Sequence, residues 1–141
     1  MKVKIKTVEN GKLPTYGRSG DACLDCYARI ENRQISIPSH SRTLVSLGFC
    51  LEIPDGYEAV IRPRSGLSSR SIDICIGTVD SNYRGEVKAC VVNNSDADYE
   101  ISNGDRICQL AIRRAPHIDW MAVNELSETV RGNSGFGSSG I

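Results

Sequence analysis

The stretch Phe49-Cys-Leu-Glu-Ile-Pro-Asp-Gly-Tyr-Glu-Ala-Val-Ile-Arg62 carries the clearest structural pattern in the chain. Apolar side chains occupy alternate positions on both sides of Pro54-Asp55-Gly56, and this period of two is typical of half-buried β-strands. Proline, aspartate and glycine each favour a tight turn. The segment therefore predicts two strands joined as a β-hairpin.

Similar short segments recur on both sides of this stretch. Further strands are predicted at 3–7, 35–37, 87–92 and 107–112, with turn residues at 93–94 and 103–104. The only helix candidate is about one turn near Ser65 to Arg70, because no apolar period of 3.6 residues continues for ten residues. These patterns predict an all-β sandwich or jelly roll.

Composition limits the possible partners. A chain of 141 residues with 17 basic and 17 acidic side chains is long enough for one domain and has no net charge. Bulk nucleic-acid binding is disfavoured, because no general positive field attracts a polyanion. No apolar run approaches the roughly 18 residues of a membrane span, and the first residues do not resemble a signal peptide. We expect a cytoplasmic protein with no membrane partner.

The six cysteines raise the question of a metal site or disulfides. Cys23-Leu-Asp-Cys26 has the spacing of half a zinc site, but a second pair is missing. In a strand, residues three apart point to opposite faces, which hinders a shared metal. We therefore favour reduced, mostly buried thiols over a metal centre.

The segment Arg62-Pro-Arg-Ser-Gly-Leu-Ser-Ser-Arg70 is a candidate phosphate loop. Pro63 ends the preceding strand, and Gly66 permits a tight turn whose amides can converge beside the Ser65 hydroxyl and the Arg64 guanidinium. That combination suits a di- or triphosphate. An ordinary basic, serine-rich loop exposed to solvent explains the same residues equally well.

The segment Gly77-Thr-Val-Asp-Ser-Asn-Tyr-Arg-Gly85 combines an acid with an aromatic side chain on a predicted hairpin. Asp80 follows an otherwise apolar run, and Tyr83 offers a flat face beside turn residues. A hairpin of this kind can hold a base and its sugar. The alternative is a plain hairpin turn in which Asp80 only accepts hydrogen bonds from nearby amides.

The last eleven residues, 131–141, are rich in glycine and serine and contain one arginine and one phenylalanine, Arg131 and Phe136. A segment with Ile141 as its one aliphatic residue cannot fold alone, so we predict a domain at 1–130 and a mobile tail at 131–141. Arginine can bind an anion and phenylalanine can cover a planar ring, so the tail can close over a nucleotide. A disordered terminus without function has the same composition.

Five segments together resemble the motifs of the homotrimeric dUTPases (deoxyuridine triphosphate pyrophosphatases), in order and over nearly the whole chain. They are Asp21–Ala28, Pro63–Leu67, Gly77–Gly85, Gly104–Leu110 and Arg131–Gly140. The first motif usually has glycine at the position of Cys23, and the fifth usually has glycine and threonine at the positions of Ser134 and Ser139. Every charged and aromatic motif position is present.

This resemblance implies a jelly-roll or β-clip fold and hydrolysis of dUTP to dUMP and pyrophosphate, which lowers dUTP and supplies dUMP for dTTP synthesis. Asp80 would be the general base that activates the water attacking the α-phosphorus, and Mg²⁺ would bind the phosphates. Asp25 would hold either a metal-bound water or the hairpin backbone. Arg106 would be a phosphate contact or, as we favour, a structural ion-pair partner. The implied substrate contacts are Arg64, Ser65, Gly66, Gln109 and Arg131 for the phosphates, Gly77, Val79 and Tyr83 for uracil and deoxyribose, and Phe136, Gly137 and Ser138 in the tail.

The resemblance also implies a homotrimer whose active sites are shared between chains. Two alternatives remain. The dCTP deaminases share the fold, but this chain has Cys90 where the deaminase pattern predicts a catalytic glutamate. A nucleotide-binding regulatory trimer is the other alternative, although a pure binder has no use for the base Asp80.

Overall fold

The structure is a computed structural model, and it describes residues 1–135. Within this range it contains eleven strands and one short helix. The elements are β1 (Lys4–Thr7), β2 (Leu24–Tyr27), β3 (Gln34–Ile37), β4 (Ser41–Ser46), β5 (Phe49–Glu52), β6 (Tyr57–Arg62), α1 (Ser65–Ser68), β7 (Ile72–Cys75), β8 (Gly77–Val79), β9 (Lys88–Asn93), β10 (Tyr99–Ser102) and β11 (Arg106–Arg114). The predicted all-β class is confirmed, as is the position of the one helical turn.

The strands form four antiparallel sheets with the orders β2-β11-β6-β8, β4-β9-β7, β1-β5 and β10-β3. One cluster of buried apolar side chains joins all four sheets. Its largest fully buried members are Phe49, Ile37, Leu47, Ile61 and Ile72. The inward faces of the strands thus share a single hydrophobic core, as expected for a sandwich.

The predicted hairpin at 49–62 is wrong, although its turn is present. The Tyr57 amide donates to the Pro54 carbonyl at 3.2 Å, and Gly56 has a φ of 77°. However, β5 pairs with β1, whereas β6 lies between β11 and β8. An alternating pattern shows that a strand buries one face, but it does not identify the strand beside it.

The segment at 77–85 also forms a turn without a hairpin. The Tyr83 amide donates to the Asp80 carbonyl at 3.1 Å, which closes the turn. The chain then returns through an irregular loop, and the next strand, β9, pairs with β4 and β7 instead of β8. Arg84 supports this loop, because its guanidinium donates to the carbonyl of Ser81 at 2.6 Å and to that of Tyr83 at 3.0 Å.

All six cysteines are free in the structure. The prediction that most are buried is wrong. Cys26 and Cys108 are buried, Cys75 is exposed, and the other three are partly exposed. Strand periodicity explains the difference, because β7 and β9 place Cys75 and Cys90 on the face that points away from the core.

Regular structure ends at Arg114, well before the predicted boundary at residue 130. From 116 to 135 the structure shows neither helix nor strand, and nearly all of the side chains are exposed. Trp120 is 90% exposed and Leu126 is 88% exposed. We call residues 115–130 the C-terminal arm. The described part of the chain has no helix that is long and apolar enough to cross a membrane.

Candidate active site

A buried carboxylate organises the first group of predicted site residues. Asp25 lies on β2 with 9% of its side chain exposed. Its Oδ1 accepts hydrogen bonds from Arg64 Nε at 3.2 Å and Gln109 Nε2 at 3.3 Å, and its Oδ2 accepts from Arg106 Nη1 at 3.2 Å. We call these four residues the Asp25 cluster. Both carboxylate oxygens are therefore engaged by protein donors.

Strand pairing explains why distant parts of the sequence meet here. Gln109 on β11 lies opposite Asp25 on one side and opposite Arg62 on the other. Arg64 follows the end of β6, and its Nη1 also donates to the carbonyl of Arg106 at 2.7 Å. A buried carboxylate is stable only when its charge and lone pairs are satisfied, and two guanidinium groups and an amide do this. Protein groups alone therefore satisfy the Asp25 carboxylate.

The helix α1 follows this cluster and presents the phosphate-loop residues to solvent. Arg64 caps the helix with an extended backbone, and its carbonyl accepts from the amides of Leu67 and Ser68 at 3.0 Å each. Ser65 and Gly66 are exposed. A Cβ on Gly66 would meet no atom of the described chain within 4 Å, so the turn itself does not require glycine. Gly66 also has no positive φ, so the expected tight turn does not use the conformational freedom of glycine, and the bare backbone leaves room for a ligand.

A cleft of about 310 Å³ over β8 holds the second group. We call it the β8 cleft. It is lined by Ile61, Gly77, Thr78, Val79, Asp80, Tyr83, Glu86, Val87 and Lys88. The exposed Asp80 follows directly after β8, and within residues 1–135 no hydrogen bond engages its carboxylate. A carboxylate without protein donors can accept a proton from a bound water.

Tyr83 is fixed on this cleft by its hydroxyl, which donates to the carbonyl of Glu86 at 3.2 Å, while 46% of the residue remains exposed. A Cβ on Gly85 would overlap the ring and hydroxyl of Tyr83, so this position must be glycine for the ring to lie as it does. The Glu86 carboxylate in turn accepts from the Gly48 amide at 3.2 Å and lies 3.8 Å from Arg29 Nη1. The aromatic face is thus presented rigidly to solvent.

The structure therefore gathers the predicted residues into two groups. Arg64 and Gln109 belong to the Asp25 cluster, whereas Gly77, Val79, Asp80 and Tyr83 line the β8 cleft. Both groups lie on the sheet β2-β11-β6-β8, but β8 and β2 are its opposite edges. Asp25 is on the edge strand β2, whereas Arg64 follows β6, the strand that pairs with β8.

Arg131 joins neither group. Its Nε donates to the carbonyl of Ser134 at 2.9 Å, and the Ser134 amide donates back to the Arg131 carbonyl at 3.0 Å. The arginine thus closes a local turn in the described chain. The predictions for Phe136, Gly137 and Ser138 concern positions outside the described residues.

Among the cleft residues that sequence reasoning did not predict, two are charged, Glu86 and Lys88, and the role of Arg106 was left open. The ion pair between Arg106 and Asp25 agrees with the structural role that we favoured. Lys88 could have been identified, because the alternation of 87–92 places it on the face opposite to Val87 and Ala89. The side-chain contacts of Glu86 depend on Arg29 and Gly48, which no local pattern connects to it.

A buried thiol pair lies next to the Asp25 cluster. Cys26 on β2 is directly opposite Cys108 on β11, and both are fully buried. The hydrogen bond to Cys108, followed by burial, raises the pKa of the Cys26 thiol. This thiol therefore stays protonated and packs as a small apolar group.

Comparison with known proteins identifies related chains. The dUTPase family model matches residues 9–140. The chain is 46% identical to the deoxyuridine 5'-triphosphate nucleotidohydrolase of Finegoldia magna, with 99% of each chain covered. It is 42% identical to the enzyme of the same name from Anaplasma marginale, again with 99% of each covered.

Solved structures show the same fold. A mutant dUTPase of Staphylococcus bacteriophage 80alpha, determined with dUpNHpp, superposes with a TM-score of 0.91 at 24% identity, with 99% of each chain covered. A phage phi11 dUTPase mutant with a structural Mg(II) ion has a TM-score of 0.82 at 20% identity, covering 91% of this chain and all of that one. The sandwich is thus the jelly roll of these proteins, and the chain belongs to the dUTPase family.

Proposed function

We propose that this protein is a dUTP diphosphatase that hydrolyses dUTP to dUMP and pyrophosphate. Family membership over nearly the whole chain supports the reaction. The single structural observation that carries the proposal is the β8 cleft, where a free carboxylate, a tyrosine ring and a bare glycine backbone surround one volume of about 310 Å³. A cleft of this size suits a nucleoside.

Asp80 is the general base in this proposal. Its exposed carboxylate can take the proton of a water that attacks the α-phosphorus, and such a base contributes about 10²–10⁴-fold. The attacking oxygen bonds to phosphorus while the bond to the bridging oxygen of pyrophosphate breaks. The proton remains on Asp80 until the products leave.

The Asp25 cluster and α1 supply the positive charge and the hydrogen-bond donors that face the phosphates. Arg64 keeps its guanidinium in place through Asp25 and the Arg106 carbonyl, and the Gln109 amide is held by the same carboxylate. Preorganised donors stabilise developing negative charge without reorganising during the reaction. Ser65 and Gly66 offer a hydroxyl and an unobstructed backbone beside them.

The residues fit Mg²⁺ that arrives with the nucleotide. Among residues 1–135 no group of three or more acidic, histidine or cysteine side chains gathers to hold a metal, and both Asp25 oxygens already accept hydrogen bonds. Mg²⁺ is often bound by substrate phosphates and water with few protein ligands. Asp25 would then contact a metal-bound water at most. The bound ion supplies charge neutralisation across the phosphates.

Substrate selection follows from the backbone of β8. Backbone amides and carbonyls of β8 can pair with the polar edge of uracil. Cytosine would leave a donor or acceptor unpaired, at a cost of about 1–3 kcal/mol per group. Gly77 adds no side chain to the cleft floor. The ring of Tyr83 would pack against deoxyribose and leave no partner for a 2′-hydroxyl.

The reaction is tested by measuring pyrophosphate and ammonia from dUTP and dCTP, with and without Mg²⁺. We expect pyrophosphate from dUTP and no ammonia from either nucleotide. Ammonia from dCTP would indicate a deaminase, and binding without products would indicate a regulatory module. Deamination is disfavoured, because this chain has Cys90 where the deaminase pattern predicts a catalytic glutamate.

A homotrimer with shared sites is part of the proposal. One chain would contribute the phosphate loop, a second the β8 cleft and a third the tail, and within residues 1–135 Arg131 hydrogen-bonds only to Ser134 of its own tail. The C-terminal arm also exposes large apolar side chains, namely Ile118, Trp120, Met121, Val123 and Leu126. Exposed apolar surface of this extent is typical of an association surface.

We also propose the domain boundary at residue 130, closure of the tail over the site and a cytoplasmic location.

Mixed trimers test the sharing of sites. An Asp80→Asn chain is co-expressed with a chain truncated before Arg131, and trimers containing both chains are isolated through two affinity tags. If cleft and tail come from different chains, each mixed trimer contains one complete site and recovers roughly a third of wild-type activity. Verified mixed trimers without activity would mean that cleft and tail come from the same chain.

A further inference from the structure

Two pairs of cysteines lie directly opposite each other across neighbouring strands. Cys26 is opposite Cys108 between β2 and β11, and Cys75 is opposite Cys90 between β7 and β9. Opposite residues in an antiparallel ladder have Cα atoms about 4.5 or 5.5 Å apart. Both separations lie within the roughly 4.4–6.8 Å that a disulfide spans. The backbone therefore permits a bridge at either place.

Accessibility distinguishes the two pairs. Cys26 and Cys108 are fully buried in the core, so no reagent reaches them while the protein is folded. Cys75 is exposed and Cys90 is partly exposed, because they lie on the outer face of β7 and β9. Exchange between a thiol and a disulfide requires access to the attacking sulfur. Cys50, by contrast, lies opposite Lys6, so it has no cysteine beside it on the neighbouring strand with which to form a bridge.

We propose that Cys75 and Cys90 form a redox modification site that reacts with low-molecular-weight disulfides of the glutathione type. The exposed Cys75 thiolate attacks one sulfur of the small disulfide, whose sulfur–sulfur bond breaks and releases one thiol. The Cys90 thiolate then attacks the Cys75 sulfur in this mixed disulfide and releases the second thiol. The two cysteines are oxidised by two electrons, and the small disulfide is reduced to two thiols.

The bridge would join the two ends of the segment that carries most of the β8 cleft. Residues 76–89 include every residue that lines the β8 cleft except Ile61. A disulfide across Cys75 and Cys90 thus fastens both ends of the segment that carries the cleft. Closing a loop of about 15 residues restricts the unfolded chain and stabilises the folded one. The site therefore links the thiol redox state to the stability of this segment, independently of the reaction catalysed there.

The test uses the purified full chain, reduced and then incubated with glutathione disulfide. We expect two thiols per chain to become unreactive, and peptide mapping to locate them at Cys75 and Cys90 in one bridge. The melting temperature should rise by about 5 °C or more and return after reduction. Cys90→Ser should instead retain glutathione on Cys75, without the thermal shift. Cys26→Ala, a matched control in the buried pair, should oxidise like the wild type.

Three outcomes would overturn the proposal. The first is an unchanged thiol count after incubation, which would mean that the outer face is not accessible in the assembled protein. The second is a bridge that maps to other cysteines or joins two chains, seen on a non-reducing gel. The third is a Cys75–Cys90 bridge that leaves the melting temperature unchanged or lowers it.

Discussion

The two acids of the candidate site differ in their surroundings. Asp25 is buried and accepts hydrogen bonds from two arginines and a glutamine, whereas Asp80 is exposed and its carboxylate has no partner within residues 1–135. A carboxylate whose lone pairs are already occupied holds its neighbours in position. One whose lone pairs are free can take a proton from water. The same residue type thus positions groups in one region and is available for chemistry in the other.

Removing the basicity of Asp80 should have the largest effect. Asp80→Asn keeps the size of the side chain but cannot accept the proton, so we expect kcat to fall by at least about 10²-fold with little change in dUTP affinity or melting temperature. Steady-state kinetics and nucleotide binding by calorimetry measure the two effects separately. Asp55→Asn is the matched control, because Asp55 is an exposed acid that contacts Ser81 outside the β8 cleft. Turnover within a few-fold of wild type would identify Asp80 as a turn residue only.

Truncation before Arg131 removes the proposed cover of the site but no core residue. We expect kcat/KM to fall at least about tenfold and the melting temperature without ligand to stay unchanged. Arg131→Ala in the full-length chain shows how much of the loss is due to the guanidinium. A parallel loss of stability would show that the tail belongs to the folded core.

Asp25→Asn should affect stability more than Asp80→Asn does. Removing one partner of a buried ion pair costs about 3 kcal/mol in stability, because the other partner's charge stays buried without an opposite charge beside it. Urea unfolding measures the free energy of unfolding, and KM for dUTP should rise as Arg64 and Gln109 lose their common acceptor. Asp96→Asn serves as the control, because its partner His40 and Asp96 itself are both exposed. Equal stability of the Asp25 and Asp96 variants would contradict a positioning role for Asp25.

The smallest expected effect concerns pH and the buried thiol beside Asp25. The raised pKa of Cys26 keeps it protonated in the folded chain, whereas the unfolded thiol ionises near its ordinary pKa of 9.0. Its contribution to stability is therefore full below pH 9 and decreases above it, by at most about 1.4 kcal/mol per pH unit. The difference in unfolding free energy between wild type and Cys26→Ala should narrow above pH 9. A constant difference up to pH 10 would contradict this.

Local sequence patterns were sufficient to predict most of the strands, but they were insufficient to predict which strands pair with each other. Alternation identified β5, β6, β9 and β11, and Pro54-Asp55-Gly56 identified a turn, because both depend on residues close in sequence. The hairpin was wrong because the neighbours of β5 and β6 are strands from other parts of the chain. The alternation of 99–102 was not recognised as a strand, although its partner β3 was.

The chemistry of the site could be predicted further than its geometry. The sequence alone determined that Arg64, Asp80 and Tyr83 are candidate site residues, because ionisable and aromatic side chains in turn-forming segments already indicate their possible contacts. Gln109 was a candidate only through the resemblance to the dUTPase motifs. Only the tertiary structure decided that Asp25 is the common acceptor of the first group and that Asp80 belongs to a different one. The physical reason is distance along the chain. Hydrogen bonds between residues about 40 to 80 positions apart depend on the pairing of β2, β6 and β11, which no local preference specifies.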